Sequence, residues 1–183
     1  TDEVRTEQDP RNLDANPSNN VRWYLFGGER TSRGVDVELT YQPTANLGLI
    51  FAYGYLPTAE ISANPSITNP NQPNQVGTRS LNSPEHKVSL WTRYAFNEGA
   101  FNGLSLGAGV SHVDQVSIST FASDRAYAPS YTLARFSVDY TFDWAGQKIG
   151  AGIVVANAFD KEYHRGVYRG SPREVTARLR MSF

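Results

Sequence analysis

Glu174-Val175-Thr176-Ala177-Arg178-Leu179-Arg180-Met181-Ser182-Phe183 closes the chain in strict alternation. Val175, Ala177, Leu179, Met181 and Phe183 are apolar, whereas Thr176, Arg178, Arg180 and Ser182 are polar. A period of two is the signature of a strand with one apolar and one wet face. A lipid-facing arginine at the bilayer midplane costs roughly 2–4 kcal/mol, so Arg178 and Arg180 must face water. The opposite face is then free to meet lipid. A membrane-spanning strand needs about 9–11 tilted residues, and this stretch has room for that. Taken alone, it also fits an edge strand of a soluble β-sandwich.

Working back from it, the same alternation recurs six times. Ile149, Ala151, Ile153 and Val155 share one face. So do Ala134, Phe136, Val138, Tyr140, Phe142 and Trp144, opposite Arg135, Ser137, Asp139, Thr141 and Asp143. Leu104 to Val110, Val88 to Phe96, Leu47 to Tyr55 and Val35 to Tyr41 complete the set. Gly48, Gly54, Gly107 and Gly109 fall on the faces turned to water and leave space there for something packed inside a barrel.

The connections alternate in length. Pro43–Asn46, Asn97–Gly103 and Ala145–Gln147 are short turns. About Pro57 to Glu85, rich in Pro and Asn, reads as a long loop, Asp114–Pro129 as a second, and the region of His164–Arg173 as a third. Short turns at one end and long loops at the other are the habit of outer-membrane barrels. Tyr41, Tyr55, Tyr94, Phe96, Phe142, Trp144 and Phe183 gather near strand ends, as interfacial girdles do. The fold class is therefore all-β, an antiparallel transmembrane β-barrel segment of seven to eight strands. Single-chain bacterial barrels have even strand numbers from eight upward. Either residues 1–6 or 21–26 supply an eighth strand, or the chain is one arc of a larger wall. Residues 1–20 read as a loop with a strand stub at Val4–Thr6, and residues 21–183 as barrel strands and loops.

Composition sets outer bounds. Seventeen Lys plus Arg stand against 18 Asp plus Glu, so no global field points to nucleic acid. The absence of cysteine excludes disulfides and thiolate metal sites. Aromatics reach 12%. No apolar run approaches the ~20 residues of a transmembrane helix. The chain opens on Thr1-Asp2-Glu3-Val4, without an initiator Met, a basic n-region or an apolar h-region, and reads as a mature or truncated product.

Catalytic chemistry is not in evidence. His86, His112 and His164 lie far apart without metal-ligand spacing and read as girdle, rim or turn residues. Ser111 and His112 are adjacent, so in a strand they point to opposite faces and cannot pair as nucleophile and base. Asp36 and Glu38 share a face but read as a solvated lumen wall. Gly103–Gly109 precedes no helix, which removes a phosphate loop. No catalytic residue, metal site or cofactor is expected.

Several stretches, in order along residues 28–183, resemble the C-terminal part of TonB-dependent outer-membrane receptors. Gly28-Glu29-Arg30-Thr31-Ser32-Arg33-Gly34 looks like that family's lead-in to a barrel strand, and Phe51-Ala52-Tyr53-Gly54-Tyr55 like the strand that follows. Pro84-Glu85-His86-Lys87 is similar to the family's strand start, and Gly170-Ser171-Pro172-Arg173 and Phe183 complete the set. The most specific match is Asn157-Ala158-Phe159-Asp160-Lys161-Glu162-Tyr163, which departs from the family's box only in having Ala158 for leucine or isoleucine. Asn157 and Asp160 in that box are expected to stabilise a turn, with Phe159 and Tyr163 as its aromatic members.

The resemblance implies a 22-stranded barrel in the outer membrane of a Gram-negative cell, of which residues 1–183 are the C-terminal part, with the plug domain absent from this stretch. It implies a receptor that imports a scarce ligand, most readily a ferric siderophore, and no enzyme. The implied partners are outer-membrane lipid, the plug and TonB through the N-terminal part, and the barrel-assembly machinery. Leu179, Met181 and Phe183 would carry the assembly signal. The alternative is a small self-contained outer-membrane barrel with a structural or adhesive role. For ligand contact the candidates are Trp23, Tyr24, Arg79, Phe121, Arg125, Tyr127, His164, Arg165, Tyr168 and Arg169. They combine rings with cationic donors, which suits an anionic or iron-chelate ligand. Aromatics that merely sit at the outer rim would look the same.

Overall fold

The computed structural model describes residues 2–8, 24–63, 75–119 and 125–182. Eight strands form one antiparallel sheet: β1 (Asp2–Gln8), β2 (Tyr24–Tyr41), β3 (Leu47–Ala63), β4 (His86–Ala95), β5 (Leu104–Val113), β8 (Tyr131–Trp144), β9 (Gln147–Ala156) and β12 (Glu174–Ser182). They lie side by side in chain order, so β1 and β12 are its two edges and the sheet does not close on itself. That removes the self-contained eight-stranded barrel. Two small hairpins lie outside the sheet, β6 (Val116–Ser117) with β7 (Tyr127–Ala128), and β10 (His164–Arg165) with β11 (Tyr168–Arg169).

Register carries the alternation from strand to strand. Leu39, Phe51 and Leu90 are successive neighbours, followed across the sheet by Val110 and Ala134. Further along the same face stand Val138, Ile153 and Ala177. This face stays open, with Leu179 71% and Val175 64% exposed. A soluble sandwich would bury such a face under a second sheet. Among the described residues the buried apolar side chains are Ala59, Ile61, Val116, Ala128 and Ile149, too few for a domain core. The solvent for this face is lipid.

Aromatic rings mark both ends of the apolar band. At the end with short turns, Tyr94, Phe96 and Phe101 pack with centroids 4.8 and 5.8 Å apart. At the other, His86 stacks on Tyr55 at 4.9 Å and receives or gives a hydrogen bond of 2.8 Å with the Tyr53 hydroxyl. The turn Trp144-Ala145-Gly146-Gln147 is a two-residue connection with positive φ at Ala145 (51°) and Gly146 (78°), the geometry that matches strand twist.

The strand stub expected at Val4–Thr6 is part of β1, which runs longer, over Asp2–Gln8, and pairs with Tyr24–Thr31 as the eighth strand; residues 9–20, read as loop, lie outside the described ones. The lead-in Gly28–Gly34 is itself strand: β2 runs through it into Val35 with a register shift at Gly34. A Cβ at Gly34 would stand 2.5 Å from the Tyr55 carbonyl oxygen, so only glycine fits this bulge. The expected loop from Pro57 likewise begins as strand: Leu56–Ala63 continue β3 by about 25 Å beyond the aromatic band. Residues 75–85 return along this extension, joined by the bonds Ser80 N–H to Ala59 O (2.6 Å), Ile61 N–H to Thr78 O (3.1 Å) and Leu56 N–H to Glu85 O (2.8 Å).

The water-facing side needs another correction. The space at Gly107 and Gly109 is not left for a separate occupant. The Trp91 ring lies across both, within 2.5 Å of where either Cβ would stand, and Arg135 caps that ring at 6.0 Å. Gly48, by contrast, does face open space.

Candidate functional site

Three long connections meet at the outer end of the sheet. Asn82 N–H donates to the Ser117 carbonyl (3.1 Å), tying the segment after residue 75 to the β6–β7 hairpin. Gly166, in the β10–β11 turn, lies directly against the Asn82 side chain. The third connection is shaped by the Asn157–Tyr163 box. Asn157, 6% exposed and at φ 46°, accepts from Lys161 N–H (2.9 Å) and donates to the carbonyls of Lys161 (2.9 Å) and Ser171 (3.1 Å). Asp160 accepts from Arg173 N–H at 2.8 Å, closing the two ends of the excursion. Tyr163 lies flat on Gly170 and packs against Tyr131 at 4.5 Å.

Between these segments is a basin of about 430 Å³. Its walls include Lys87, Tyr131, His164, Arg165 and Tyr168, with Asn82, Asp114 and Pro129. The Arg165 guanidinium stands beside the Tyr131 phenol. The single carboxylate, Asp114, is already engaged by His112, Nε2 to Oδ1 at 3.3 Å. Among the described residues neither Lys87 nor Arg165 is paired with a carboxylate, so these walls offer an excess of positive charge beside two phenol rings. That combination holds an anion or an anionic chelate by charge-assisted hydrogen bonds and ring contact. Among the described residues no group of three His, Asp or Glu side chains could hold a bare metal ion.

Of the expected contact residues, His164, Arg165 and Tyr168 come together here. Arg79 is turned to other work: its guanidinium donates to the carbonyls of Ser83 (2.8 Å), Pro57 (3.3 Å) and Leu56 (2.6 Å) and clasps residues 75–85 to β3. Arg169 pairs with Glu162 at 2.5 Å on the exposed side of its hairpin. Arg125 and Tyr127 lie outside the basin walls. Trp23 and Phe121 lie outside the described residues, and of Tyr24 only the strand position is described. Leu179 and Met181 stand on the open apolar face of β12, while Phe183 lies outside the described residues.

Lys87 and Tyr131 are among the basin residues that the sequence pattern passed over. Both occupy water-facing positions at the outer ends of strands, beside long loops. That placement was their available signal. Ser111 and His112 do take opposite faces, beside Ser89 and Val88 respectively.

Residues 3–157 match the family model described as TonB dependent receptor-like, beta-barrel. The chain is 32% identical to the metal-pseudopaline receptor CntO of Pseudomonas aeruginosa, over 93% of this chain and 23% of that protein. It is 29% identical to the ferrichrome outer membrane transporter/phage receptor of Escherichia coli, over 94% of this chain and 22% of that one. The chain thus spans less than a quarter of the length of these relatives. Among solved structures it is similar to BauA, the ferric preacinetobactin receptor of Acinetobacter baumannii, with a TM-score of 0.77 at 18% identity, covering 97% of this chain and 25% of that one.

Proposed function

The chain belongs to the TonB-dependent receptor β-barrel family, and from that membership we propose that it is a section of the wall of a receptor that imports a ferric siderophore. Its place is the outer membrane of a Gram-negative cell. The observation that carries the reading is the basin where three outer connections converge, lined by Lys87, Arg165 and Tyr131, with its one carboxylate already engaged. An iron chelate bearing carboxylate or phenolate oxygens offers the negative charge and flat ligand arms that such a basin receives. Relatives named for metal-pseudopaline and ferrichrome support iron or metal chelates as the cargo class. The plug and TonB are the partners this reading requires, and energy would reach the barrel through them.

Binding of ferric chelates to the full-length receptor containing this wall tests the reading. Lys87→Ala and Arg165→Ala should each weaken binding by about tenfold, the loss of one hydrogen bond to a charged group. Arg169→Ala, outside the basin and paired to Glu162, should weaken it less. Unchanged affinity in both basin variants would overturn the assignment.

A further inference from the structure

The β10–β11 hairpin carries His164, Arg165 and Tyr168 into the outer basin, yet its own structure does little to hold it there. Its ladder is two residue pairs, His164 with Arg169 and Arg165 with Tyr168, and it joins no strand of the main sheet. A lone two-stranded hairpin is marginal at best in water. It buries little apolar surface either, with Val167 65% and Tyr168 76% exposed. Asn157 and Asp160 fasten the base of the excursion, and the Tyr163 ring seats on Gly170 just outside the ladder. At the tip the contact is different: Gly166 lies against the Asn82 side chain, which arrives from another connection.

Asn82 is itself anchored. Arg79 donates to the Ser83 carbonyl (2.8 Å) and to the Leu56 carbonyl of β3 (2.6 Å), which ties the turn around Asn82 to the tall strand. The Asn82 N–H donates to the Ser117 carbonyl of β6 at 3.1 Å. Its φ is 55°, a backbone that glycine adopts freely and asparagine tolerates. Glycine would serve that turn as well, so the side chain has another use. Among the described residues its amide is in no hydrogen bond, and it does not brace its own loop. It lies over Gly166 instead. Gly166 is required twice. With φ 64° it is the first of the two turn residues, where such hairpins place glycine, and a Cβ there would collide with the Asn82 amide.

We propose that Asn82 is a positioning residue for the basin: its side chain buttresses the β10–β11 turn and so keeps Arg165 beside Tyr131, where an anionic chelate meets it. The inference deepens the reading of the basin as a chelate site and rests on it. Lys87 needs no such support, because it stands on β4 within the main sheet. Asn82 also lines the basin, so direct contact with cargo is the rival role. The two roles differ in which basin cation Asn82 works through.

Two readouts on the full-length receptor test it. The first needs no ligand: the rate at which trypsin cuts the folded receptor after Arg165, with the cut located by mass spectrometry. Asn82→Gly keeps the turn's backbone and removes the buttress, and should speed that cut severalfold. Asn82→Asp keeps the side chain's shape and should be cut at the parent's rate. The second readout is affinity for ferric tris-catecholate and ferric citrate. Asn82→Gly should weaken binding roughly fivefold, as when the competent state falls to about a fifth of the population. In the Lys87→Ala receptor the same change should cost that full factor, and in the Arg165→Ala receptor about twofold or less, because only residues that act together depart from additivity. Cleavage of Asn82→Gly at the parent's rate would overturn the proposal. So would equal costs in the Lys87→Ala and Arg165→Ala backgrounds, which would assign Asn82 to cargo contact or to general loop stability. A parent receptor that binds neither chelate would count against the siderophore reading instead, while the cleavage comparison would still judge the buttress.

Discussion

Gly152 shows how much one missing side chain can do in a single-layer wall. Any Cβ there would collide with the Asp139 carboxylate and press on Arg178, so the ion pair between β8 and β12 exists because the strand between them is bare. Gly152→Val should lower the temperature at which the receptor loses its fast, unboiled gel mobility, by several degrees. Gly48→Ala meets nothing within 4 Å and should leave that temperature unchanged. At this scale the sequence was half legible. Arg178 could be assigned to water because hydrocarbon forbids it. Which glycines mark vacancies could not be read, since Trp91 fills two of them from a neighbouring strand and only the register reveals it.

Among the elements, the excursion from Asn157 to Arg173 is held by a few polar contacts rather than by a core. Asn157 supplies three of its hydrogen bonds from a buried position with positive φ. Asn157→Ala removes all three and adds backbone strain, a loss of roughly 2–4 kcal/mol from that connection. Trypsin should then cut the folded receptor near Lys161 or Arg165 faster than the parent, and ferric-chelate affinity should fall with it. The alternation that revealed the strands also failed at their outer ends. Inside the bilayer each residue is sorted by lipid or water, so period two is enforced. Above it no such sorting acts, and β2 and β3 continue through Gly27-Gly28 and Pro57 on backbone pairing that leaves no periodic trace.

For the whole molecule, sidedness is open to a direct chemical check. The chain has no cysteine, so single introduced thiols report cleanly. In intact cells, Glu60→Cys on the outer extension of β3 should react with a membrane-impermeant maleimide, whereas Glu98→Cys in a short turn should react only after the outer membrane is opened. Residues 1–183 alone should show no fast unboiled band after refolding in detergent, because β1 and β12 leave two unpaired edges. The arc was legible from its strand count and connection lengths. The basin was not, because Asn82, Tyr131 and Arg165 converge from connections far apart in the chain. The tall β2–β3 ribbon, finally, sets what a large molecule approaching this end of the sheet meets first. It meets paired backbone clasped by Arg79 before it reaches the basin floor. Because the ribbon is held by its own backbone pairing and by Arg79, substitutions of its surface side chains would leave the embedded strands and the basin walls untouched.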